Sequence, residues 1–298
     1  MKLFLRPMGL LEISGSTRLD LINRMSTNQV ALLKAGQGAA TVLTTDMGRI
    51  IDRLILYADE DKAIMMTGED NGDNIGRYLM RFVFFNDDFA LKPIHGEFST
   101  LFVYGADAQV KLSEFFGAEI DLALHNWQHV QFEGQELVMA ATDPLDGGGY
   151  AIIVPAAHLQ NLTDQLLASG GEMMQEAEFD ALRIEHMLPR LRFEMTGDYI
   201  PLETGLWDDI SFTKGCYTGQ EIIARMDSRN KITKQLVQLD LDAPLPNGTD
   251  FLSDGIKAGT ITTSSGKRAL GYVKTNVLKD NRQIKAGEVA ISPVFEPG

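Results

Sequence analysis

In the segment SGSTRLDLINRMSTNQV, Leu19, Ile22 and Met25 recur three residues apart. That is the period of one helix face, and Ser16 or Thr17 stands where an N-cap belongs. The rhythm then changes. In AATVLTTDMGRIIDRLILYADEDKAIMMTG, β-branched and apolar runs are broken by TDMGR and ADEDK, which predicts three strands joined as an antiparallel meander. Helical spacing returns in GEDNGDNIGRYLMRFVFF, with Ile75, Tyr78, Leu79 and Phe82 on one face. A second module opens with the strand-like STLFVYG. It continues through a helix in DAQVKLSEFFG, strands in HVQFEGQELVMAAT and GGYAIIVP, and a helix in AAHLQNLTDQLLASGG. Strands and helices succeed one another without a steady βαβ rhythm, so the predicted class is α+β and not a doubly wound parallel sheet. From Lys231 onward, short alternating runs are separated by Pro, Asn-Gly, Asp-Gly and Ser-Gly turns. Five or six short strands fit there, as in a small closed or nearly closed β-barrel.

Composition narrows the chemistry. With 44% hydrophobic residues in 298, the chain can fill real cores. Arg6, Pro7 and Glu12 interrupt the first apolar run, and no stretch approaches the roughly 20 apolar residues that cross a bilayer, so a cytoplasmic protein without a membrane partner is expected. A single cysteine excludes an internal disulfide and a cluster held by four thiolates of this chain. The five histidines have no metal-ligand spacing. A formal net charge of -14 argues against nucleic acid as a partner. The acidity is uneven, however: between Leu182 and Lys234 eight basic residues balance eight acidic ones, which reads either as ordinary surface mixing or as a local field that tolerates an anionic small ligand.

That neutral window contains the one thiol, in SFTKGCYTGQEIIAR. Thr218 and Glu221 have the T-x-x-E spacing of a capping box, so a helix is expected to start near Gly219. Cys216 then precedes a helix N-terminus, where unpaired N–H groups favour a thiolate, and Lys214 adds a positive charge. Gly215 and Gly219 leave the backbone open to a ligand.

The string KGCYTGQE at 214–221 resembles the signature of the YgfZ-like folate-binding proteins, in the superfamily of the glycine-cleavage T-protein, an aminomethyltransferase. ALRIEHMLPRL, IPLETGLWDDISF, LEISGSTRLDLINRMSTNQV, DMGRIIDRLILY and GYVKTN resemble further segments of that family. The resemblance implies three α+β and β modules around a central opening that accepts a reduced folate. The expected division is 1–95 with 176–230, then 96–175, then a barrel over 231–298. It also implies tetrahydrofolate as cofactor and a role in assembling or repairing iron–sulfur clusters, with client enzymes or the assembly machinery as partners. An aminomethyl- or methyltransferase acting on a small amine is the alternative.

Residue by residue, the resemblance places Glu185 against the pterin ring, whose adjacent N–H donors one carboxylate can accept. Asp52 aligns with the first of an acidic pair near the reactive nitrogens of the folate; the second position here is Arg53, which weighs against aminomethyl transfer. Arg225, on the helix after the thiol, completes the predicted folate-binding set. Cys216 and Lys214 are the predicted working pair.

Overall fold

Pro7 divides the N-terminal residues between two sheets. Strand β1 (Lys2–Arg6) enters one and β2 (Met8–Ser14) the other. A proline cannot donate to a ladder, which suits a residue between two strands. The sequence pattern around Arg6, Pro7 and Glu12 had suggested neither strand. The computed structural model describes residues 1–228 and 232–294.

After β2 come α1 (Arg18–Met25), β3 (Gly38–Thr44), β4 (Ile50–Ala58), β5 (Lys62–Glu69), α2 (Gly72–Met80) and β6 (Ala90–Pro93). Their sheet has the order β3-β4-β5-β2-β6. The expected meander is therefore its first three strands, with β2 inserted beyond them. β7 (Phe98–Tyr104), α3 (Ala108–Phe116), β8 (Trp127–Phe132), β9 (Gln135–Leu145), β10 (Gly148–Pro155), α4 (Ala156–Ala168) and β11 (Glu172–Met173) follow. They build a second sheet with the order β11-β1-β7-β10-β9-β8. The remainder is α5 (Glu176–Glu185), α6 (Gln220–Ser228), β12 (Lys234–Leu241), β13 (Asp250–Ser253), β14 (Ile256–Ser265), β15 (Arg268–Lys274), α7 (Thr275–Lys279), β16 (Ile284–Ala286) and β17 (Val289–Val294). These six strands close as β12-β15-β14-β13-β16-β17, the barrel that the turn-rich sequence predicts.

The chain groups into two compact units. The first holds Met1–Leu43, Asp52–Gln175 and Asp209–Tyr217; the second holds Thr44–Ile51, Glu176–Asp208 and the chain from Thr218. The returning segment 176–230 is thus shared between them: only 209–217 joins the unit containing the first two sheets. The expected boundary at 230/231 lies outside the described residues.

In the first unit, Leu101 and Val103 of β7 pack with Leu112, Leu162 and Leu166 of α3 and α4. Alternation along β7 turns Thr100, Phe102 and Tyr104 to the opposite face. Gly38 is obligatory where β3 meets the loop before β8, since a Cβ there would lie 2.1 Å from the His125 carbonyl oxygen and 2.6 Å from that of Leu56. Trp127 Nε1 donates to Ala58 O at 3.0 Å across the same junction.

In the second unit, the barrel encloses Leu239, Phe251, Ile261 and Val273. Arg183 of α5 is fully buried; it donates to Glu194 at 2.7 Å and to Thr263 at 2.5 Å, while Tyr272 Oη donates to Glu194 O at 2.7 Å. A buried cation must be paired and hydrogen-bonded, and here it fastens α5 to the barrel wall.

Candidate functional site

Alternation along β4 sends Asp52 and Arg53 to opposite faces, and their environments differ accordingly. Asp52 is fully buried. Its Oδ2 accepts from Gly68 N at 2.9 Å and Asn71 Nδ2 at 2.8 Å, and its Oδ1 from Arg53 N at 2.8 Å. The carboxylate fastens β4 to the turn between β5 and α2. That is a different task from the ligand contact the sequence suggested, because the carboxylate is closed off from the surface and its oxygens hold N–H groups of the chain.

Arg53 lies between two carboxylates. Its Nε donates to Asp209 at 2.6 Å, its Nη1 to Asp143 at 2.6 Å, and its Nη2 to Asp143 at 3.2 Å and Asp209 at 3.3 Å. Asp143 is aimed by an irregularity between β9 and β10, where the register shifts between Gly148 and Tyr150. Gly149 permits this, since a Cβ there would lie 2.6 Å from the Asp143 carbonyl oxygen. Burial works against the Arg53 charge, but Asp143 and Asp209 outweigh it and hold the guanidinium charged. Burial likewise pushes Asp143 up, and Arg53 brings it below the usual carboxylate range. One cation with two carboxylates leaves an excess negative charge. Asp143, with its side chain 26% exposed, is the open member of the trio; that of Asp209 is 6% exposed.

Two buried polar groups within reach of this charge have no hydrogen-bond partner: Tyr57 Oη and His125 Nδ1. Tyr57 shares the Arg53 face of β4; burial and Asp143 raise its pKa, with Arg53 opposing. His125 has left-handed backbone geometry, φ 65°, and burial pulls its pKa down, with Asp143 opposing, so the ring is neutral at pH 7. Buried polar groups are ordinarily paired, so an unpartnered phenol and imidazole beside the partly open Asp143 carboxylate mark a place for a hydrogen-bonding ligand. In the sequence His125 is one of five histidines without metal-ligand spacing, and Tyr57, Asp143 and Asp209 carry no signal there, because no local motif joins these residues.

The residues leading into the thiol are fastened to the last turn of α1 and the chain just beyond it. Thr27 Oγ1 donates to Asp209 O at 2.6 Å, and Ser211 N donates to Thr27 O at 3.0 Å. Farther along, Lys214 Nζ donates to the carbonyls of Asn23, Ser26 and Asn28 at 2.6, 3.0 and 2.6 Å, and lies 5.2 Å from the centroid of the Tyr217 ring. Burial pulls the ammonium down to about 8, so it is charged at neutral pH. All three of its hydrogens are used by carbonyls, and none remains to donate to a thiolate. Cys216 is exposed and, among the described residues, has no partner.

The helix starts one residue after the expected position near Gly219. Helix α6 starts at Gln220, and Gly219, at φ 86°, supplies the carbonyl that Ile223 N donates to at 3.3 Å. A Cβ on Gly219 would lie 2.6 Å from Thr45 O and 2.9 Å from Gly48 Cα. The close approach that Gly219 allows is to the chain's own β3–β4 turn. Of the predicted set, Asp52, Lys214 and Cys216 belong to the first unit, and Glu185 and Arg225 to the second. Glu185, the last residue of α5, and Arg225, in the last turn of α6, are both exposed, and among the described residues no partner engages either side chain.

Comparison with known proteins assigns this architecture. The family described as GCVT N-terminal domain matches residues 5–214, and the CAF17 C-terminal beta-barrel domain matches residues 233–296. The chain belongs to the GCVT family. This GCVT-family chain is 27% identical over 287 residues to an Arabidopsis thaliana protein named "Putative transferase, chloroplastic", covering 94% of this chain and 66% of that one. It is 24% identical to the aminomethyltransferase of Desulforamulus reducens, covering 94% and 82%. The crystal structure of glycine cleavage system aminomethyltransferase T from Bartonella henselae superposes with a TM-score of 0.87 at 20% identity, over 99% of this chain and 85% of that one. The T-protein fold is thereby established. Among the described residues, no helix is long and apolar enough to cross a membrane.

Proposed function

We propose that this GCVT-family chain is a cytoplasmic, tetrahydrofolate-binding accessory protein that supports assembly or repair of iron–sulfur clusters in client enzymes, with Cys216 as its working group. The observation that carries the reading is the state of the sole thiol: exposed and unpartnered, in a loop whose flanking residues are fastened by Arg53, Thr27 and Lys214. One thiolate can contact a cluster or a sulfur species but cannot house a cluster, so the metal chemistry belongs to the client.

The residues fit a reduced folate. Adjacent N–H donors of a pterin suit the partly open carboxylate of Asp143, and Tyr57 Oη and His125 Nδ1 supply further buried hydrogen-bonding atoms. Glu185 and Arg225, in the second unit, are proposed as folate contacts from the family's motif alone. Aminomethyl transfer, the activity named for several relatives, is disfavoured: the position after Asp52 is a cation tied to two carboxylates, and Asp52 itself is occupied by N–H groups.

Calorimetric titration with tetrahydrofolate tests the binding. The wild type is expected to bind, and Asp143→Ala and Glu185→Ala to bind about 30-fold more weakly, the effect of losing charge-assisted hydrogen bonds. No heat of binding in the wild type would overturn the folate reading. Release of ammonia or methylene-tetrahydrofolate from an aminomethylated lipoyl carrier would establish the transferase instead.

A further inference from the structure

The carbonyls of Asn23, Ser26 and Asn28 converge at the end of α1 (Arg18–Met25) and the residues just beyond it. The last turn of a helix leaves carbonyls without partners inside the helix, and the negative end of its dipole attracts a cation. Asn23 and Ser26 offer such oxygens, Asn28 adds a third, and the ammonium of Lys214 meets all three at 2.6–3.0 Å. Further bonds brace the nest. Asn23 Oδ1 accepts from Val30 N at 3.0 Å, Ser26 Oγ donates to Ile22 O at 2.7 Å, and Asn28 Nδ2 donates to Ala40 O at 2.8 Å. The buried Tyr217 ring faces the ammonium from the loop side.

We propose that these three carbonyls form a cation-binding nest whose resident, the Lys214 ammonium, latches the thiol loop in place, making Lys214 a positioning residue for Cys216 and not its activator. The proposal rests on reading Cys216 as the working thiol, but its test reads the loop itself. The nest would accept a primary alkylammonium ion once the lysine is removed, because its oxygens are held by bonds that do not involve Lys214.

The test is chemical rescue of Lys214→Ala, with n-propylammonium replacing the deleted atoms and 1-propanol as the neutral control. The reporter is exchange of the Ser211 amide, which donates to Thr27 O at 3.0 Å. The alkylation rate of Cys216 is measured against pH in parallel. Exchange of Ser211 is expected to quicken about tenfold or more in the variant. n-Propylammonium should restore protection and 1-propanol should not, while the midpoint of the alkylation profile stays where it was. Unchanged Ser211 protection, equal rescue by the alcohol, or an upward shift of the alkylation midpoint without loss of protection would each overturn the latch. If Lys214→Ala does not fold, Lys214→Gln keeps two N–H donors and should give intermediate protection; protection equal to the wild type would overturn the proposal. Failure of the accessory-factor reading would leave all these readouts unaffected.

Discussion

The guanidinium of Arg53 donates from Nε to Asp209 at 2.6 Å, joining β4 to the segment that leads into the signature loop across 156 residues of chain. With Asp143 on its other side, Arg53 neutralises one of two carboxylates that would otherwise repel each other in a poorly hydrated place. Removing one member of such a group leaves an uncompensated buried charge, typically at a cost of about 3–5 kcal/mol. Arg53→Met is expected to lose stability of that order in urea denaturation. Adding Asp143→Asn and Asp209→Asn should recover part of it. A variant as stable as the wild type would show that the trio contributes little to holding the loop.

Asp52 is expected to act through stability. Asp52→Ala leaves Gly68 N and the Asn71 amide without their acceptor, and unsatisfied buried donors cost about 1–3 kcal/mol each. Thermal melting should show the loss, with tetrahydrofolate affinity of the remaining folded protein nearly unchanged. Normal melting together with lost folate binding would return Asp52 to the ligand site.

His125 gives a pH signature whose sign follows from its environment. Burial holds its folded-state pKa below the ordinary 6.5. As pH falls through 6.5, the unfolded chain takes up a proton that the folded protein does not, so stability falls with acidification, by at most about 1.4 kcal/mol per pH unit. His125→Asn keeps a residue that tolerates the left-handed backbone and should flatten this part of the stability profile between pH 7 and 5. An identical slope in wild type and variant would mean that the imidazole titrates normally.

Legibility in the sequence followed the range of the interactions. Elements set by local periodicity were readable: the β3–β5 meander, α2, α3, α4 and the turn-punctuated barrel. β1 and β2 were not, because Pro7 and Arg6 interrupt one apolar run whose two parts enter different sheets. In the site, Cys216 and Lys214 stood out through a contiguous motif, yet the direction of the Lys214 ammonium depends on carbonyls of residues 23–28, a pairing that no sequence spacing encodes. Asp143, Tyr57 and His125 come from two strands and a loop and meet only through sheet packing. Asp52 carried the right chemistry for a ligand contact, but its burial and its bonds to Gly68 and Asn71 emerge only once β5 is laid beside β4.

The most direct test of the central claim is the Cys216→Ser protein in cells that lack the native one, read as the activity of iron–sulfur enzymes, with melting temperature and tetrahydrofolate affinity measured on the purified variant. Serine is close in size to cysteine and the side chain is exposed, so folding and folate binding should match the wild type. Support of the iron–sulfur enzymes should be lost, because a hydroxyl has neither the nucleophilicity nor the metal affinity of a thiolate at neutral pH. Full restoration of those enzymes by a stably folded Cys216→Ser protein would contradict the account.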